Sequence, residues 1–75
     1  MNIEEKLQEI IKSICGKNNL EFNNDADLIK DFGLDSADMI ELITDVEIEF
    51  DIEIKDINSC LKYEKLLNYI KEILG

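Results

Sequence analysis

The chain has 75 residues, with 18 Asp or Glu against 8 Lys or Arg and no His, for a formal charge of -10 at pH 7. That length holds one small domain, residues 1–75, whose core is expected to supply only about 3–5 kcal/mol of net stability. The charge excludes nucleic acid and anionic membrane surfaces as partners and favours basic protein surfaces, no apolar run approaches the ~20 residues that cross a bilayer, and two cysteines without histidine exclude an ordinary zinc site.

In chain order, Ile3, Leu7, Ile10, Ile11 and Ile14 recur at spacings of three and four, with Glu4, Glu5, Lys6, Glu9 and Lys12 between them. This spacing predicts an amphipathic helix over residues 3–14. Gly16, just after Cys15, supplies its stop, and Lys17-Asn18-Asn19 begins a loop reaching to about Lys30. Within the loop Leu20, Phe22, Leu28 and Ile29 are expected to tuck into the core. The start of the chain has no basic region followed by an apolar stretch, so Cys15 and Cys60 are read as free thiols in a cytoplasmic protein.

The segment from Asp35 to Ile54 carries two patterns. Val46, Ile48, Phe50, Ile52 and Ile54 alternate with acidic residues, as a half-buried strand would. Met39, Leu42, Ile43, Val46 and Phe50 form a helical stripe, and Asp35 with Asp38 makes a capping pair at its start. No second strand-like run exists to pair with the first, and a lone strand cannot satisfy its backbone groups. A helix from Ser36 to about Phe50 is therefore expected, then an extended turn through Ile54. Residues 56–60 suffice for one short helical turn. Leu66, Leu67, Ile70, Ile73 and Leu74, with Tyr63 and Tyr69, make a last amphipathic helix ending at Gly75. The chain has no proline, repeat or low-complexity linker to mark a second domain.

The chemistry concentrates at Ser36. A serine hydroxyl is a poor nucleophile unless a base stands within hydrogen-bond reach, and histidine, the commonest such base, is absent. A hydrolytic triad is thus disfavoured, and no enzymatic activity is expected. A helix N-terminus presents unpaired N-H groups and a partial positive charge, which favours a phosphate esterified to a serine there. The residue is suited to phosphorylation or phosphopantetheinylation; by position alone it is also an ordinary first-turn serine.

The run Asp31-Phe32-Gly33-Leu34-Asp35-Ser36-Ala37-Asp38 resembles the attachment motif of acyl carrier proteins. The likeness continues through Met39-Ile40-Glu41-Leu42-Ile43 and Val46 to Ile54, includes Leu28 to Gly33 upstream, and covers essentially the whole chain. It implies an all-α fold, a small four-helix bundle of three main helices and one short one. It also implies that a phosphopantetheinyl transferase moves 4'-phosphopantetheine from coenzyme A onto Ser36, and that the arm's thiol then holds an acyl group as a thioester. Acyl-transfer, condensing or adenylating enzymes with basic docking patches become the expected partners of a monomeric carrier.

The acids fit that picture. Between Lys30 and Lys55 there is no basic residue and there are nine acidic ones, which costs self-repulsion but steers the domain onto Lys/Arg surfaces. Carried over from the family, Asp35, Asp38, Ile40, Glu41 and Glu47 are the expected partner-facing residues. The family also implies that cargo folds back between the helices, with Leu28, Leu42, Val46, Ile54, Ile57 and Leu66 lining the space; by burial alone the same residues are ordinary core. Glu47, Asp51, Glu53 and Asp56, and the pair Asp35 and Asp38, are expected to attract divalent cations only as diffuse charge relief.

Three residues depart from the family pattern: Ala37 stands where Leu is usual, Thr44 where a larger apolar residue is common, and Ile48 where another acid is frequent. The stretch before the last helix is about two residues short and lacks the usual cap. Two alternatives use the same sequence differently. One is a carrier of amino acids, D-alanyl or nonribosomal-peptide; the other is an acidic helical adaptor with Ser36 unmodified or phosphorylated.

Overall fold

A computed structural model describes residues 2–17 and 19–75. Asn18, in the expected loop start, lies outside the described residues, as does Met1. Helix α1 spans Ile3–Cys15, α2 Ser36–Phe50 and α3 Tyr63–Leu74, with a short 3-10 turn at Ile57–Cys60 before α3. Helix α1 packs on both α2 and α3, and the 3-10 turn packs on α3. The expected all-helical architecture of three main helices and one short one is what the chain adopts.

Each boundary has a local cause. The Asn2 side chain accepts from Glu5 N at 3.1 Å to open α1. Gly16, at φ 71°, closes it by donating to Lys12 O at 2.9 Å, a left-handed conformation that favours glycine. The choice between strand and helix over residues 36–50 is settled as helix, which puts Met39, Leu42, Ile43, Val46 and Phe50 inside. Among the described residues the only β pairing is an isolated bridge between Asp27 and Lys62. Lys62, which precedes α3, makes no side-chain cap, so that helix starts from tertiary packing.

The bridge is what anchors the long α1–α2 connection. Leu28 N donates to Leu61 O and Tyr63 N to Ala26 O, both at 3.0 Å, tying the loop to the start of α3. Phe22 packs its ring against Phe32 and Tyr63 at centroid distances of 5.2 and 5.0 Å. The carboxylate of Asp27 accepts from Ile29 N and Lys30 N at 2.9 Å each. These bonds, the one from Lys30 N foremost, hold the Asp27 carboxyl below its ordinary value. A depressed carboxyl stabilises the fold above its unfolded-state pKa, and that contribution is lost as pH falls through the lower folded value. Amide protection of Ile29 and Lys30, followed by NMR across acid pH, is therefore expected to fail below the ordinary carboxylate range.

The same turn corrects one expectation. Leu28 is fully buried, but Ile29 is 42% exposed. Two N-H groups of the turn, those of Ile29 and Lys30, converge on Asp27, and this tight local path points consecutive side chains in different directions. Leu20 and Phe22 pack against the core from partly exposed positions. Cys15 and Cys60 are both free, and burial pushes both thiols above their ordinary pKa, which suits small apolar filling and disfavours thiolate chemistry.

Candidate functional site

Asp35 and Ser36 sit where the loop delivers the chain into α2. Gly33, at φ 73°, makes the left-handed step that reverses the chain, and Leu34 is buried behind it. Asp35 then caps the helix: Asp38 N donates to Asp35 Oδ1 at 2.8 Å, and Asp35 N donates to Asp38 Oδ2 at 3.2 Å. This reciprocal box satisfies two backbone donors. It leaves the N-H groups of Ser36 and Ala37 without intrahelical acceptors, at the positive end of a 15-residue helix. Ser36 itself is exposed.

Replacing Asp35 by alanine removes one half of the box and is expected to cost about 1 kcal/mol of stability, range 0.5–2. Asp35→Asn, which keeps an acceptor oxygen, should retain most of it; urea unfolding midpoints of the two variants measure the difference.

Beside Ser36 lies an open groove of about 320 Å³ lined by Ile29, Ser36, Met39, Ile40, Ile57, Asn58 and Leu61. One side comes from the start of α2, the other from the 3-10 turn and the residue after it. Ile40, 62% exposed, and Ile57, 41% exposed, give it apolar rims. Ile57, one of the six residues that the family resemblance set along the cargo space, stands at this rim and is not ordinary core. Ile57 opens the 3-10 turn at its outer end, while Cys60, which closes it, is fully buried against the core. The other five, Leu28, Leu42, Val46, Ile54 and Leu66, are together in the core. Of the groove residues, Met39 was read only as part of the buried stripe and Leu61 was not singled out. Met39 was legible, since it lies three residues after Ser36 on a helix.

The acids of α2 divide by geometry. Glu41 is exposed, whereas Asp35 and Asp38 hold each other's backbone in the capping box. Glu47 is half-buried and its Oε2 accepts from Ile54 N at 2.9 Å. Ile48 is 75% exposed, and Ala37 and Thr44 are exposed too, so the three departures from the family pattern all lie on the solvent side of α2. Among the described residues no group of three or more His, Cys, Asp or Glu is placed to hold a metal ion, and no helix is long and apolar enough to cross a membrane.

Comparison with known proteins gives the family. A family model described as a phosphopantetheine attachment site matches residues 5–58, a stretch that contains Ser36 and both sides of the capping box. An acyl carrier protein of Nitratidesulfovibrio vulgaris is 40% identical over 73 residues, covering 95% of this chain and 96% of the relative. An acyl carrier protein of Solidesulfovibrio magneticus is 36% identical over 77 aligned positions, covering 100% of this chain and 99% of that protein. With the all-helical fold and matches that run essentially end to end, the chain belongs to the acyl carrier protein family.

Proposed function

We propose that Ser36 is the residue to which 4'-phosphopantetheine is attached, and that the domain carries acyl groups on that arm between enzymes of fatty-acid, polyketide or related biosynthesis. The single observation that carries the assignment is an exposed serine in the first turn of a capped 15-residue helix, inside the matched attachment-site segment. The residues present suit the group. The free N-H groups of Ser36 and Ala37 and the helix dipole favour the phosphate, and they offset its repulsion by the carboxylates of Asp35 and Asp38. The apolar rim of Ile40 and Ile57 suits the less polar part of the arm. On attachment the Ser36 oxygen would form a phosphoester bond to the pantetheine-side phosphorus of coenzyme A as the pyrophosphate P–O bond breaks, adenosine 3',5'-bisphosphate would leave, and the hydroxyl proton would pass to the transferase or to water. Once attached, the arm supplies a terminal thiol for acyl groups, which no cysteine of this chain needs to provide.

The acidic face of α2 is read as the docking surface for the phosphopantetheinyl transferase and for acyl-handling enzymes with Lys/Arg patches. Contacts of this kind form fast and weaken with salt, as a carrier that must leave each enzyme requires. Leu28, Leu42, Val46, Ile54 and Leu66 are proposed to line the space that cargo opens between the helices. The test is the intact mass of the chain after incubation with coenzyme A and a broad-specificity phosphopantetheinyl transferase. A gain of one arm, about 340 Da, supports the reading; no gain in a folded protein, or a native chain already bearing about 80 Da as phosphate, favours an acidic adaptor.

A further inference from the structure

The segment between α2 and the 3-10 turn is held by side chains from two helices. Ile54 N donates to Glu47 Oε2 at 2.9 Å, and Lys55 N donates to Tyr69 Oη at 3.2 Å. Glu47 belongs to α2 and Tyr69 to α3, so the segment is strung between them. It leads directly into the turn that supplies Ile57 and Asn58 to the groove beside Ser36. Whatever releases Ile54 and Lys55 therefore loosens one side of that groove.

Glu47 is also one of the acids on a helix that has no basic residue anywhere along it. Its Oε2 is engaged, while among the described residues nothing donates to Oε1. Building on the reading of Ser36 as the attachment site, we propose that Glu47 is a positioning residue with two competing partners: the N-H of Ile54 in the free carrier, and a Lys or Arg of the docked enzyme in the complex. An ammonium or guanidinium brings a full opposite charge to the carboxylate, and an Arg can engage both oxygens at once, whereas Ile54 N-H offers a single uncharged donor. The incoming cation draws the carboxylate outward and leaves the partly buried Ile54 N-H unpaired, which is unfavourable for the closed segment. Docking on α2 thus loosens the groove at the serine that bears the arm. By linkage, a cargo that displaces the 3-10 turn frees Glu47 and tightens docking by the same factor. Tyr69 restrains the neighbouring residue without touching the acidic face, so it separates groove control from docking charge.

Amide hydrogen exchange on the full apo chain tests this with Glu47→Ala, Glu47→Gln and Tyr69→Phe. Glu47→Gln keeps an acceptor oxygen and loses the charge. Exchange at Ile54 and across residues 57–61 is expected to rise roughly five- to tenfold in Glu47→Ala. In Tyr69→Phe a rise of that size is expected at Lys55 and residues 57–61, and exchange at Ile54 in Glu47→Gln should fall between wild type and Glu47→Ala. Saturating a Ser36→Ala chain with the transferase should raise exchange at Ile54, and should add nothing further when Glu47→Ala is also present. Equal exchange at Ile54 in wild type and Glu47→Ala overturns the proposal. So does a rise spread evenly over α1, a Glu47→Gln chain as loose as Glu47→Ala, or an Ile54 that becomes better protected in the complex. Failure of the transferase to load the wild-type chain appears in the mass spectrum and counts against the Ser36 reading, while the apo exchange comparison stands independently of it.

Discussion

Ser36→Ala is expected to remain folded and to gain no mass under conditions in which the wild-type chain gains one arm. The chain has three serines, at 13, 36 and 59. Ser13 lies well inside α1, away from any free N-H groups of a helix start. Ser59 sits in a four-residue 3-10 turn with its hydroxyl donated to Asp56 Oδ2 at 2.7 Å. Ser36 alone combines exposure, a long helix behind it and unpaired N-H groups beside it. Its removal should be cheap, because alanine is the better helix former and the site is exposed; a stability change within about 0.5 kcal/mol is expected. The loss of loading should therefore be complete while the thermal midpoint barely moves. A folded variant that still gains the arm would place the attachment elsewhere.

Leu66→Ala should have the largest effect on folding. Leu66 is fully buried in α3, within the same cluster as Leu28, Leu42 and Val46. Removing such a side chain costs about 2–5 kcal/mol through lost burial and the cavity left behind. The whole domain has only about 3–5 kcal/mol to lose, so a substantial unfolded fraction is expected at 25 °C, read as lost helical circular dichroism. Ile73→Ala, on the same helix but 46% exposed, should keep a cooperative transition close to that of wild type. If Leu66→Ala melted within a few degrees of wild type, the core would have a margin that its size does not suggest. The experiment bears on function as well, since Leu66 is among the residues proposed to line the cargo space: a thin margin limits how far cargo can part the helices.

Ile29 and Ile57 both stand further out than ordinary core residues. Both residues are apolar and both follow an Asp or a residue next to one, in stretches without regular periodicity. There the local turn sets the direction of a side chain: at Ile29 the Asp27 carboxylate draws two backbone N-H groups onto itself, whereas Asp56 caps no backbone group and Ile57 opens a 3-10 turn. Glu47 failed to be legible in a different way. Its charge and its place on an acidic helix were plain, but its hydrogen bond to Ile54 joins the two ends of a turn whose path the residues themselves do not state.

By itself the sequence determined the three amphipathic helices, their caps at Asp35 and Gly16, the helix over residues 36–50, the acidic face, and Ser36 as the focus of the chemistry. These follow from periodicity, capping chemistry and charge, all of which act between residues a few positions apart. Only the tertiary structure decided that Ile29, Met39, Ile40, Ile57 and Leu61 meet beside Ser36, that Ala26 and Leu28 bond to residues at the start of α3, and that Glu47 and Tyr69 hold the segment leading to the groove. Those contacts join loop to helix across the fold, and their geometry is fixed by how the helices pack and where buried backbone donors find acceptors, which no local pattern encodes.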